Sequence, residues 1–116
     1  MGDAPDIQGL IRLPNGVRDH LPGEAAELHE VRRTLLGVLD GRGYQRVMTP
    51  SIEYLDVLLR GTDWSEDRIF KLVEPDTGLV LALRPDITPQ IARMVATALR
   101  DAPPPLRLCY FGSVFR

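Results

Sequence analysis

A single cysteine, Cys109, and two histidines, His20 and His29, are the whole stock of thiol and imidazole groups in 116 residues. One thiol excludes an internal disulfide and suits a reducing compartment, so the expected location is cytoplasmic. Neither histidine has a zinc-type partner spacing, so no metal and no cofactor is expected. No apolar run approaches the roughly 20 residues that span a bilayer. The opening MGDAPDIQGL lacks the basic and apolar regions of a secretory signal and the later Ser or Thr of a myristoylation site, so no membrane partner is expected. GxSxG, GxGxxG and GxxxxGK[ST] are all missing, which removes the usual hydrolase elbow and phosphate loops. Nor is there an excess of positive charge. With 14 basic against 16 acidic residues the formal net charge is −2 and the pI about 5.6, and no nucleic-acid partner is expected.

What remains is an ordinary globular composition, 44% hydrophobic and 26% charged, enough for one domain with a modest core. Residues 1–12 read as a flexible lead-in, and residues 13–116 as the domain. LPNGVRDHLPGE is a structured turn region. From Glu24 the apolar residues Leu28, Val31, Leu35, Val38 and Leu39 recur at steps of three and four, the stripe of an amphipathic helix, with Gly41 and Gly43 placed to end it. YQRVMTP alternates as a strand that Pro50 closes. SIEYLDVLLRGTD predicts a short helix ended by Gly61. Ile69–Val73 and Leu79–Leu83, around a Pro-Asp-Thr-Gly turn, predict a β-hairpin. Thr88 before Pro89 predicts a helix start with Thr88 as N-cap, and Ile91, Val95, Ala98 and Leu99 as its buried stripe. RLCYFGSVFR reads as one or two strands. The order implies an α+β fold, a mostly antiparallel sheet flanked by helices and incomplete at its C-terminal end.

The chemistry concentrates in LRPDITPQIARM. Asp86 and Thr88 have one plain explanation as helix-capping oxygens, and Arg84 as a partner of Asp86. A second explanation makes the carboxylate and hydroxyl acceptors for a ligand ammonium, with Arg116 as a planar fork for a carboxylate or phosphate. Trp64 is either a contact residue in a mobile loop or a half-buried anchor, and Cys109 a small core residue.

Three segments in order then resemble a known family. GYQRVMTPSIE is similar to motif 1 of class II aminoacyl-tRNA synthetases, whose proline, here Pro50, lies at a dimer interface. FKLVEPDTGLVLALRPDITPQIAR resembles the hairpin and helix that carry the amino-acid pocket of histidyl-tRNA synthetases. YFGSVFR resembles the first half of motif 2, whose arginine, here Arg116, contacts the ATP α-phosphate and the amino-acid carboxylate. The synthetases typically carry Glu, then Gly or Met, then Thr after LRP. Asp86-Ile87-Thr88, followed by Pro89-Gln90, resembles instead the synthetase-like regulatory subunit of ATP phosphoribosyltransferase, and GSVFR agrees.

That resemblance implies a class II synthetase-like fold and a non-catalytic subunit acting in the first step of histidine biosynthesis and in its feedback control by histidine. Its partner would be the short-form catalytic subunit, a glycosyltransferase, in a hetero-oligomer. It implies a histidine-like pocket of Arg84, Asp86, Thr88 and Arg116, and self-association through motif 1 with Tyr44, Pro50 and Glu53 at the interface. The family chain continues through the rest of motif 2 to motif 3, so these 116 residues are expected to be a catalytically silent fragment. Two alternatives stand beside this reading. One is a piece of a histidyl-tRNA synthetase that activates histidine with ATP. The other is a structural domain whose polar groups are only caps.

Overall fold

The structure, a computed structural model, describes residue 9, residues 11–60 and residues 62–116. Most of the expected lead-in, and Gly61 as a helix end, lie outside the described residues. The chain forms two compact units, one up to Gly37 and one from Val38 to Arg116.

The first unit holds the turn at Pro14–Val17, closed by Val17 N–H to Pro14 O at 3.1 Å with Gly16 at φ +79°. It also holds most of helix α1, Pro22–Gly41. Proline at the start costs nothing there, since its missing N–H has no helical partner, and Glu24 in the first turn suits the positive end of the dipole. Arg18 pairs with Glu24, and Arg33 with Glu30 one turn back. The predicted stripe is where the periodicity put it, but it is not buried: Leu28, Val31, Leu35 and Val38 are exposed, Leu39 is half-buried, and Leu36 is the buried residue. Periodicity marks an apolar face without saying what covers it.

The second unit opens with the end of α1. Tyr44 N–H reaches Leu39 O at 3.1 Å, and Gly43 N–H reaches Asp40 O at 3.2 Å. These are the paired bonds of a Schellman stop, with Gly43 at φ +81° where a Cβ would be strained. The chain then passes through β1 (Gln45–Arg46), β2 (Ile52–Tyr54), helix α2 (Leu55–Leu59), a 3-10 turn at Glu66–Arg68, β3 (Lys71–Val73), β4 (Val80–Leu83), helix α3 (Thr88–Ala96) and β5 (Leu108–Cys109).

Two sheets form. The hairpin is as predicted, β3 against β4 with Leu72 opposite Leu81, and β2 adds antiparallel to β4 with Glu53 opposite Ala82. β2 itself was legible only as part of a helix. β1 pairs instead with β5, in parallel, Arg46 opposite Cys109, a pairing of distant segments that no local pattern announces. The core gathers Leu55, Leu58, Ile69 and Ala82, with Leu59 and Trp64 packed on it. Full burial of Leu58 contributes ~2 kcal/mol. No described helix is long and apolar enough to cross a membrane.

Three expectations are corrected. Thr88 is the first helical residue and not the N-cap; Ile87 holds the cap position and makes no side-chain cap bond. The α3 stripe is only partly sheltered, because Val95 and Ala98 are exposed and the helix ends at Ala96, before Ala98 and Leu99. Beyond Cys109 the chain forms no further strand, although Phe115 N–H bonds Arg84 O at 2.8 Å.

Candidate functional site

The turn from β4 into α3 is built around Arg84, which is 6% exposed. Its Nε donates to Ser113 O at 2.8 Å. Its Nη1 faces Thr49 O at 2.9 Å, Thr49 Oγ1 at 3.0 Å, and Pro50 O and Gln90 Oε1 at 3.3 Å. A rigid fork suits this task, since one guanidinium can join three separate chain segments. Its partners are neutral, and Asp86 is not among them.

Gln90, fully buried, extends the network. It accepts from Thr49 Oγ1 at 2.9 Å and donates through Nε2 to Pro50 O at 2.6 Å and Glu53 Oε2 at 3.1 Å. Arg93 Nε meets the same Glu53 oxygen at 3.1 Å. Among the described residues no buried side-chain polar atom lacks a partner. The network therefore fixes the start of α3 at little cost in unpaired groups. The sequence reading missed Gln90 and its links to Thr49 and Glu53; the available signal was a polar side chain next to stripe position Ile91.

Beyond this network lies a cleft of about 530 Å³, lined by Arg60, Thr62, Asp63, Trp64, Asp86 and Thr88 with Pro89 and Ala92 of α3. Asp86 Oδ1 accepts Thr88 N–H at 3.1 Å, a side-chain turn that caps the helix from two residues away. Thr88 Oγ1 lies 3.2 Å from the Tyr110 hydroxyl. Arg116 Nε donates to Pro85 O at 3.2 Å, and its guanidinium carbon sits 5.2 Å from the centre of the Trp64 ring. Of the four predicted pocket residues, Asp86 and Thr88 line the cleft. Arg116 is not a lining residue but lies against Trp64, which is one, and Arg84 belongs to the buried network beside the cleft. Of the predicted interface residues, Pro50 is exposed, Tyr44 is half-buried under Arg107 at 5.9 Å, and Glu53 is engaged by Gln90 and Arg93. No cluster of metal-ligating side chains occurs among the described residues.

Residues 16–116 match the family model described as histidyl-tRNA synthetase. The chain belongs to that family. Within the histidyl-tRNA synthetase family, it is 45% identical over 105 residues to the ATP phosphoribosyltransferase regulatory subunit of Syntrophotalea carbinolica, covering 90% of this chain and 24% of that one. It is 48% identical over 103 residues to the protein of the same name from Pseudomonas aeruginosa, covering 88% and 26%. A crystal structure from Bacillus halodurans, described as an ATP phosphoribosyltransferase regulatory subunit/histidyl-tRNA synthetase, superposes with a TM-score of 0.82 at 32% identity, over 100% of this chain and 29% of that one. The chain thus spans about a quarter of the length of the curated relatives it matches. Their shared fold is the class II synthetase-like one expected from the motifs.

Proposed function

We propose that this chain is part of a regulatory subunit of ATP phosphoribosyltransferase, and that its cleft binds histidine as a signal and not as a substrate. Asp86 carries the reading. One carboxylate oxygen caps α3, and the other has no partner among the described residues, on a side chain that lines the cleft. A ligand ammonium would lie against that oxygen, with the Thr88 hydroxyl giving direction. Arg116 supplies the opposite charge for the ligand carboxylate. Aspartate stands where the resembling synthetases carry glutamate, so the ammonium would sit about one methylene deeper. Such a shift is enough to spoil the in-line geometry of adenylate formation while leaving binding intact.

In this reading the subunit works in the cytoplasm, associates with itself through the motif 1 segment, and assembles with the short-form catalytic subunit. Histidine binding and catalytic rate are then coupled through the assembly. The names of the relatives at 45% and 48% identity support the partner. The test follows phosphoribosyl-ATP formation by the short-form catalytic subunit, with and without the full-length protein that carries this chain. A large rise in rate that histidine reverses is expected, and an unchanged rate with both proteins folded would sink the proposal. The double description of the Bacillus halodurans structure favours a second reading, histidine activation. Histidine-dependent ATP–pyrophosphate exchange is its direct assay.

A further inference from the structure

Arg60 lines the cleft and Arg116 lies over its Trp64 wall, and the two are held very differently. Arg60 is an exposed side chain whose nearest carboxylate is Asp56, at 3.9 Å. Arg116 is fixed at two points. The Trp64 ring lies 5.2 Å from its guanidinium carbon, and the arginine Nε donates to Pro85 O at 3.2 Å. Its terminal nitrogens have no partner among the described residues, so the edge of the fork that binds carboxylates is the edge left open. Trp64 is itself anchored, being half-buried and packed on the cluster of Leu55, Leu58, Ile69 and Ala82. The same side chain lines the cleft beside Asp63, Asp86 and Thr88.

We infer that Trp64 is a positioning residue for Arg116, holding the guanidinium ready for the carboxylate of a zwitterionic ligand; this rests on the amino-acid site proposed above. A free arginine side chain loses several rotatable bonds' worth of freedom when it clamps a ligand. Contact with an anchored ring, together with the bond to Pro85 O, meets part of that loss before the ligand arrives. The benefit reaches only ligands that use Arg116. Trp64 therefore acts on the discrimination between carboxylate-bearing and carboxylate-free ligands, whereas a merely structural wall would act on both alike.

The experiment titrates the full-length protein with L-histidine and with L-histidinol, which carries a hydroxymethyl group in place of the carboxylate, and reads both affinities by calorimetry. Trp64→Leu is expected to weaken histidine about two- to fivefold, the range for one exposed cation–ring contact, and to leave histidinol unchanged. Trp64→Phe keeps a ring and is expected to fall between. In an Arg116→Gln background, Trp64→Leu is expected to cost nothing more. Equal losses for both ligands would overturn the role of Trp64 and leave the amino-acid site standing. Failure of the unmodified protein to bind either ligand would overturn both. If Trp64→Leu does not fold, Trp64→Phe decides alone: an unchanged preference for histidine over histidinol overturns the inference.

Discussion

Arg84 and Gln90 meet inside the chain, Nη1 to Oε1 at 3.3 Å, and both also bond the carbonyl of Pro50. A charged fork and an amide, six residues apart across the β4–α3 turn, thereby tie that turn to the segment that ends in β2. The cleft residues Asp86 and Thr88 lie between these two anchors in sequence, so their positions depend on this buried network.

Replacing Arg84 by Met is expected to destabilise the protein by ~3 kcal/mol. The carbonyls of Thr49, Pro50 and Ser113 would lose a donor in a setting where water replaces it poorly. Urea unfolding measures this, and a loss below ~1 kcal/mol would show that the network is dispensable.

Gly112 is tight for a reason of space and not of backbone angle. A Cβ there would stand 2.4 Å from Arg84 Nη2 and 3.2 Å from Ile87 Cδ1. Since the bonds of Arg84 leave it little room to move, Gly112→Ala is expected to cost ~1–3 kcal/mol. Thermal unfolding of Gly112→Ala together with Arg84→Met should show less than the sum of the two losses, because the clash disappears with the arginine.

Asp86 has two separable tasks. Asp86→Ala removes the oxygen that caps Thr88 N–H and should lower stability by ~1 kcal/mol. Asp86→Asn keeps an acceptor oxygen and should stay within ~0.5 kcal/mol of the parent, while histidine affinity falls at least about tenfold through loss of charge. If Asp86→Asn binds histidine as well as the parent does, Asp86 is a cap and nothing more.

Tyr54 joins β2 to the hairpin by donating to Glu74, whose two carboxylate oxygens lie 3.1 and 3.0 Å away. The hydrogen bond to Glu74, with some burial, raises the phenol above the ordinary tyrosine range. The folded chain thus holds this proton more tightly than the unfolded one. The contribution is complete below the ordinary tyrosine range and is lost as pH rises through the elevated folded value. Unfolding measured across that alkaline window should lose stability less steeply in Tyr54→Phe than in the parent. Parallel curves would exclude the link.

Local signals marked most elements because each carries its cause within a few residues. The stop at Gly43 needs only a residue that tolerates positive φ, and the hairpin around Pro-Asp-Thr-Gly needs only two β-rich runs and a turn. Asp86 and Thr88 were visible as a cap or a pocket, since both demand short oxygen-bearing side chains before a helix. The choice of Thr88 as N-cap failed because Asp86 reaches the Thr88 N–H from two residues back.

Spacing along the chain was enough to show a helix from Glu24 stopped by Gly41 and Gly43, the hairpin, a helix opening near Thr88–Pro89 to within one residue, and the motif order that marks the family. Only the folded chain shows that Arg84 is buried among carbonyls, that β1 runs parallel to β5, and that the Arg116 guanidinium lies over the Trp64 ring. Each of those joins residues 29 to 63 positions apart, measured as Arg84 to Ser113, Gln45 to Leu108, and Trp64 to Arg116 at 52. At such separations the pairing is set by what the folded core brings together, and no short-range pattern carries that information.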